Sequence, residues 1–460
     1  MTALDRPAPQ RDGDRPAPQR DGDRPVPQRD GDRPAPQRDG ERPRRVPFPV
    51  VDEIARHCLQ EEEPETVHIE VHLPGRVDPV RLERAFTEAL RLHPRILMRE
   101  APGAWYRRRY TWELTDAPDV PVVSFPEPEP DALGRARARA LAEAPPLDAS
   151  PPVRLEAVTD PELPDRCVLF LVVNHTALDG PACLRVLATA AELYGGRDNA
   201  PAAPPVRTGD APVEAVPMPG GLAPPAHVAP GTPEPRPGNG MLVAELPVPK
   251  RPKGAPYTVN DQLMVATALM IARWNREHGR GQRPLRITMP VDDRPRDAAM
   301  PIGNGTRLVE VPFAAEELDE HRIPELLRVT SLRTRALKAL DRPQLGRGAA
   351  LLTAPVLPVG VRAALTRGLR RAAGPWTSTT LLSNIGRIPY ALDFGDAGRA
   401  DAVWFSAPAR VPRGLTVTTA STAGRLHLAL RWSRTLLGEG DGARLLDLFK
   451  RYTHATEGDG

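Results

Sequence analysis

Apolar residues fall into two rhythms along this chain, and the sharpest switch between them lies at Cys167–Leu187. Seven consecutive apolar residues, Cys167 to Val173, have the length and β-branched content of a buried strand. The run stops at Asn174-His175. After Asp179-Gly180-Pro181 the apolar residues Cys183, Leu184, Leu187, Ala188 and Ala191 recur at helical spacing. Pro181 suits a first helical position, where its missing N–H has no partner to lose. The stretch predicts strand, tight loop and helix, with His175 in the loop.

Upstream, Val46 onward gives a short extended segment and then a helix. Residues 66–73 alternate as a strand with one apolar face, which places His68 and His72 on a solvated face. Asp78 to Leu92 carries Val80, Leu82, Phe86 and Leu90 at helical spacing and ends before Pro94, with His93 packing at its exit. WYRRRYTWEL, from Trp105 to Leu114, reads as a strand with Arg107, Arg108 and Arg109 on a solvated edge. A helix at Gly134–Ala144 and a strand at Val153–Val158 lead to the central stretch. Downstream, Met241–Leu246 reads as a strand. A nearly all-apolar helix then runs to Trp274, capped by Thr258, Asn260 or Asp261. Arg286–Val291 is a strand delivering Asp292-Asp293-Arg294, and helices follow at Pro324–Leu340 and Val359–Ala373. The last carries Arg362, Arg367, Arg370 and Arg371, which read as a solvated face or as a dock for an acidic carrier protein or the phosphates of CoA.

Composition changes this picture at two places. Residues 5–40 are four copies of a nine-residue unit, DRPAPQRDG or DRPVPQRDG, too polar to bury a core. Residues 1–45 are therefore expected to be a disordered tail. Residues 196–240, dense in Pro, Gly and Ala, read as a linker. It separates one half at 46–195 from another at 241–456.

Charge and cysteine content exclude several function classes. Lys+Arg 62 against Asp+Glu 59 leaves +3, too balanced for electrostatic nucleic-acid binding by the whole chain. Aromatic residues at 4% argue against a base-stacking surface. The three cysteines, Cys58, Cys167 and Cys183, lack metal-ligand spacing and read as buried thiols, so no metal site is expected. The N-terminus has no apolar core of a signal peptide, and no run reaches the length of a membrane span. A cytoplasmic, soluble protein is expected.

The candidate chemistry centres on His175. A base beside a helix N-terminus can deprotonate a nucleophile, and unpaired N–H groups there can stabilise the oxyanion that results. A structural histidine at a strand end fits the same local pattern.

Several segments together narrow the choice. HTALDG (His175–Gly180) resembles the HHxxxDG signature shared by nonribosomal-peptide condensation domains, polyketide-associated acyltransferases, bacterial wax ester synthases and plant BAHD acyltransferases. RLHPRI (Arg91–Ile96), TVNDQLMVATALMIARW (Thr258–Trp274), MPVDDRP (Met289–Pro295), GNGTRL (Gly303–Leu308), LLSNIGRIPY (Leu381–Tyr390) and LDFGDAG (Leu392–Gly398) follow the same family in the same order. The resemblance spans about residues 46–455. It implies an α/β fold of mixed sheets with flanking helices, built as two chloramphenicol-acetyltransferase-like halves in a V-shaped pseudo-dimer with a tunnel between them.

The resemblance also implies the chemistry. His175 matches the second histidine of the signature, the general base for a hydroxyl or amine acceptor. The acceptor attacks a thioester, either acyl-CoA or an acyl group on the phosphopantetheine arm of an acyl or peptidyl carrier protein, in secondary metabolism. No tightly bound cofactor is implied. Asp179 and Arg294 are implied to pair and hold the loop, Gly180 to permit close backbone approach, and Asn174, Ser383 and Asn384 to line the tunnel. Because both halves lie in one chain, a monomer is implied. The first signature position is Asn174 rather than His, which leaves a second reading open: a degenerate module that binds a carrier protein or partner enzyme without turnover.

Overall fold

The computed structural model describes residues 44–202, 218–219, 223–295, 297, 300–340, 344–345 and 347–457. The repeat tail up to residue 43 and linker residues 203–217 and 220–222 lie outside them. The described residues belong to one compact unit.

In chain order the first half contains β1 (Arg45–Pro47), α1 (Val50–His57), β2 (Thr66–Leu73), α2 (Pro79–Leu92), β3 (Met98–Glu100) and β4 (Thr111–Leu114). β5 (Val123–Ser124), α3 (Ala132–Ala142), β6 (Val153–Val158), β7 (Cys167–Asn174) and α4 (Gly180–Gly195) follow. The second half begins with β8 (Asn239–Pro247), α5 (Val259–Glu277), β9 (Leu285–Asp292), β10 (Thr306–Phe313), α6 (Ile323–Ala339), α7 (Arg347–Leu352) and α8 (Val359–Ala372). It ends with β11 (Thr380–Arg387), β12 (Ala402–Ser406), β13 (Leu415–Thr422), β14 (Arg425–Ser433) and α9 (Glu439–Ala455).

Each half is built on a mixed sheet. The first is five-stranded in the order β12-β2-β7-β6-β5, and β7 runs antiparallel to both neighbours. Every residue of β7 is buried, which is why its sequence is uninterrupted apolar rather than alternating. One face of this sheet packs on α2 and α4, through Leu82, Phe86 and Leu90 against Leu184 and Leu187. Burying each such side chain contributes about 1.5–3 kcal/mol. The second sheet is six-stranded, β10-β9-β11-β13-β14-β8, and its core gathers Trp274, Phe313, Trp432 and Phe449. The cap of α5 is Thr258, in a capping box with Asp261.

The halves interlock. Strand β12 leaves the second half and pairs antiparallel with β2, Trp404 opposite Glu70. Arg431, almost fully buried on β14, donates to the carbonyls of Thr66 and Pro64 at the foot of β2.

Two local expectations are corrected. His68 and His72 are not on a solvated face, because α3 covers it. Arg137 of α3 donates to both oxygens of Glu70 (2.9 and 2.6 Å), and His72 Nε2 lies 2.7 Å from the same carboxylate. The strand expected over 105–114 forms only at Thr111–Leu114. Arg107 turns back, donating to the Ala101 carbonyl at 2.6 Å with its guanidinium 4.5 Å from the Tyr110 ring.

Candidate active site

The β7–α4 loop carries His175 to where the two sheets meet. Its backbone is held on both sides: the His175 N–H donates to the Glu65 carbonyl (2.8 Å), and Asn304 Nδ2 donates to the carbonyls of His175 (3.2 Å) and Thr176 (3.0 Å). Asn304 also donates to Asp52 Oδ1 at 3.0 Å, and Trp112 Nε1 to Asp52 Oδ2 at 2.8 Å. Burial pushes the Asp52 carboxyl up to about 6, although both of these hydrogen bonds oppose the shift. Neither Asn304 nor Asp52 stood out in the sequence. Asn304 lies within GNGTRL, so its segment was marked but its role was not.

The imidazole has a fixed tautomer. His175 Nδ1 lies 2.9 Å from the Leu178 carbonyl, which can only accept, so Nδ1 carries the proton. Nε2 is then the basic nitrogen. The ring lines a cavity of about 380 Å³ with Val67, Gly180, Ser383 and Phe405 among its walls. A second cavity of about 440 Å³ lies beside it, lined by Asn260, Asp292, Asn384 and Tyr390. The two share Pro181, Pro290, Thr306, Ser383 and Ile385 as walls.

Asp179 caps α4 and faces the second half. It accepts from the Ala182 N–H (3.1 Å), the Gly305 N–H (2.9 Å), Thr306 Oγ1 (2.9 Å) and Arg294 Nη2, which reaches both oxygens at 2.9 and 2.8 Å. A carboxylate with that many donors has no role left in proton transfer. Arg294 is held flat by Asp292 (Nε–Oδ1 2.9 Å, Nη2–Oδ2 3.0 Å) and by the Gly303 carbonyl (3.0 Å). Gly305 makes room for it: a Cβ there would stand 2.4 Å from Arg294 Cδ.

The remaining expected residues divide. Ser383 lines both cavities and Asn384 the second. The β11–β13 register shifts between Asn384 and Gly386, and Asn384 Oδ1 accepts from the Gly386 N–H (2.9 Å) and Thr419 Oγ1 (3.1 Å). Asn174 lines neither cavity, which corrects its expected place in the tunnel wall. Its side chain is buried, donating to the Pro145 carbonyl (3.0 Å) and accepting from the Thr176 N–H (3.1 Å), so it braces the loop. A Cβ on Gly180 would meet the Phe405 ring at 3.3 Å. The N–H groups expected to help at the start of α4 are mostly occupied: Ala182 donates to Asp179 Oδ1, and Cys183 to the Asp179 carbonyl (3.2 Å).

The four-arginine face of α8 is also corrected. Arg362 is buried, bonded to Glu53 Oε1 through Nε (2.9 Å) and Nη2 (2.6 Å), so it ties α8 to α1. Arg370 instead lines the His175 cavity. Cys167 and Cys183 are buried and Cys58 half-buried. Among the described residues no group of three or more His, Cys, Asp or Glu side chains could hold a metal, and no helix is long and apolar enough to cross a membrane.

Two interlocked sheet-and-helix halves, with a histidine loop between them, define the condensation-domain and acyltransferase class of fold. Solved structures share that fold across nearly the whole chain. The condensation domain from the monacolin K polyketide synthase matches at TM-score 0.59 and 14% identity, covering 90% of this chain and 97% of that one. Trichothecene 15-O-acetyltransferase from Fusarium sporotrichioides matches at TM-score 0.60 and 12% identity (91% and 97%). The first condensation domain of the CDA synthetase matches at 0.58 and 17% (90% and 96%). In sequence, uncharacterized proteins of two Mycobacterium tuberculosis strains are 30% identical over 420 residues, which is 82% of this chain and 92% of theirs. The chain belongs to the same family as these mycobacterial proteins. No family model matches it.

Proposed function

We propose that the chain is an acyltransferase that moves an acyl group from a thioester to a hydroxyl or amine, with His175 as general base. The observation that carries this reading is the tautomer: the Leu178 carbonyl keeps the proton on Nδ1, leaving Nε2 as the acceptor nitrogen of a ring that lines the cavity. The acceptor's O–H or N–H gives its proton to Nε2 as its oxygen or nitrogen attacks the thioester carbonyl. The C–S bond then breaks, and the leaving sulfur takes that proton back from the imidazolium. Proton and electrons balance without an acyl-enzyme. Placing both reactants beside one base removes much of the entropic barrier.

The charge that develops on the carbonyl oxygen needs a donor. Ser383 is proposed for it, because its side chain faces both cavities and makes no hydrogen bond among the described residues. Asp179, Arg294 and Asn304 are positioning residues that hold the histidine loop.

The donor is a CoA ester or an acylated carrier protein, and a single chain supplies both halves of the site. A role in secondary metabolism is part of the proposal, in keeping with the synthases that house two of the structural neighbours. The binding-only reading rested on Asn174. That side chain faces Pro145 and Thr176 rather than the reacting centre, so it gives no ground for inactivity. The experiment is intact-mass detection of acyl loss from a panel of acylated carrier proteins and CoA esters, with hydroxyl and amine acceptors added. Acceptor-dependent transfer is the expected result; no transfer with any pair would favour the binding module.

A further inference from the structure

We infer that the His175 cavity selects a small-molecule substrate carrying a carboxylate, held by Arg413 with Arg370 beside it. This rests on the acyltransfer reading and adds the class of substrate.

The evidence is a surplus of positive charge. Two carboxylates line the cavity, Glu65 and Asp179, and each is already matched: Glu65 by Arg410, Asp179 by Arg294. Arg370 and Arg413 line the same cavity, and among the described residues neither has a carboxylate within salt-bridge distance. Both are half-buried, whereas three fully buried arginines have their partners. Arg362 binds Glu53, Arg333 binds Glu317, and Arg431 spends its guanidinium on Asn239, Thr66 and Pro64. Charges drawn partly out of water are ordinarily paired, because desolvation penalises an unmatched one.

Arg413 is nonetheless held in place. Its Nε donates to Ser378 Oγ (3.2 Å) and its Nη2 to Thr288 Oγ1 (3.5 Å), two hydroxyls that are themselves fully buried. Of its five N–H groups, three have no acceptor among the described residues. Burial pushes its pKa down to about 10; the Glu310 and Glu65 carboxylates oppose the shift, and the nearby Arg410 and Arg370 add to it. A planar fork fixed by two hydroxyls, with like charges converging on it, fits a carboxylate bound through two parallel hydrogen bonds. A thioester donor's phosphate is the other anion to consider. It stands many bonds from the sulfur that must reach His175, whereas Arg413 lines the histidine's own cavity. Leu308, Leu345 and Arg413 are shared with a further cavity of about 840 Å³, which gives the group attached to the carboxylate room to extend.

The test is equilibrium binding to the full chain, measured by calorimetry without turnover. Two isosteric pairs serve as probes: succinyl-CoA with succinamoyl-CoA, its terminal amide, and 3-hydroxybutyrate with 3-hydroxybutanamide, with free CoA as reference. In at least one pair the carboxylate member is expected to bind about tenfold to a hundredfold tighter than its neutral isostere. Arg413→Gln should bring that ratio to within about twofold while leaving free CoA unchanged. Arg370→Gln gives a smaller loss and keeps the test open should Arg413→Gln fail to fold. The inference is overturned if neither pair discriminates, or if the preference survives Arg413→Gln. It is equally overturned if Arg413→Gln weakens CoA and both its esters by one factor, which would assign the arginine to the donor's phosphate. Because binding alone is read, failure of the His175 mechanism would leave these outcomes standing.

Discussion

Arg294 Nη2 sits 2.9 and 2.8 Å from the two oxygens of Asp179, joining the second half of the chain to the cap of the helix that follows His175. The two residues are 115 positions apart in sequence and both are buried from solvent to within a tenth of their side-chain surface. Removing Arg294 leaves the Asp179 carboxylate without its counter-charge, whereas removing Asp179 still leaves Arg294 paired with Asp292. Arg294→Gln is expected to cost about 3–5 kcal/mol in denaturant unfolding. Gly305→Ala, whose Cβ would collide with Arg294 Cδ, should cost a comparable amount by driving the guanidinium away. The two should be strongly non-additive, and additive losses would show that Gly305 acts elsewhere.

Stability should depend on pH through histidines buried in neutral form. Burial lowers His57, His68 and His93 from 6.5 to about 4. In that window the unfolded chain binds more protons than the folded one, so stability is full above pH 6.5 and is lost as pH falls toward 4. Asp52, raised to about 6, acts with the opposite sign between its ordinary value and pH 6. His68 is the cleanest probe, being fully buried with no hydrogen bond to either ring nitrogen among the described residues. His68→Leu should flatten the dependence by roughly 3 kcal/mol between pH 6.5 and 4. An unchanged slope in unfolding measurements across that range would show that His68 is not buried neutral.

Asn174→Ala should destabilise the loop without touching the reacting centre. Two buried backbone groups, the Pro145 carbonyl and the Thr176 N–H, would lose their partner. A loss of about 1–3 kcal/mol is expected, with donor KM unchanged at temperatures where the variant is folded. A large rise in KM at full stability would instead put Asn174 in contact with substrate.

Ser383→Ala should leave folding intact and lower kcat by about a hundredfold, the usual consequence of losing one donor to a developing oxyanion. A change confined to KM would make Ser383 a binding residue.

Local features of the sequence carried much of this structure. The apolar run at 167–173, the capped helix at 259 and the punctuation at Asp179-Gly180-Pro181 each correspond to an element, because each is decided by neighbours along the chain. What the sequence hid depends on distant segments. The polar face of β2 reads as solvated until α3 brings Arg137 to Glu70. Four arginines at 362–371 look alike on a helix. Yet one pairs with Glu53 of α1, and another lines the His175 cavity. Asn304 carries the histidine loop from a turn in the other half, and nothing in its own surroundings marks it for that task.

The most direct measurement is acceptor-dependent release of free thiol from an acyl thioester, comparing wild type with His175→Ala after both give the same unfolding transition. The expected result is transfer by the wild type and a fall of about a thousandfold or more in the variant. Equal rates would mean that the imidazole moves no proton in the reaction, and His175 would have to be assigned to holding the loop alone.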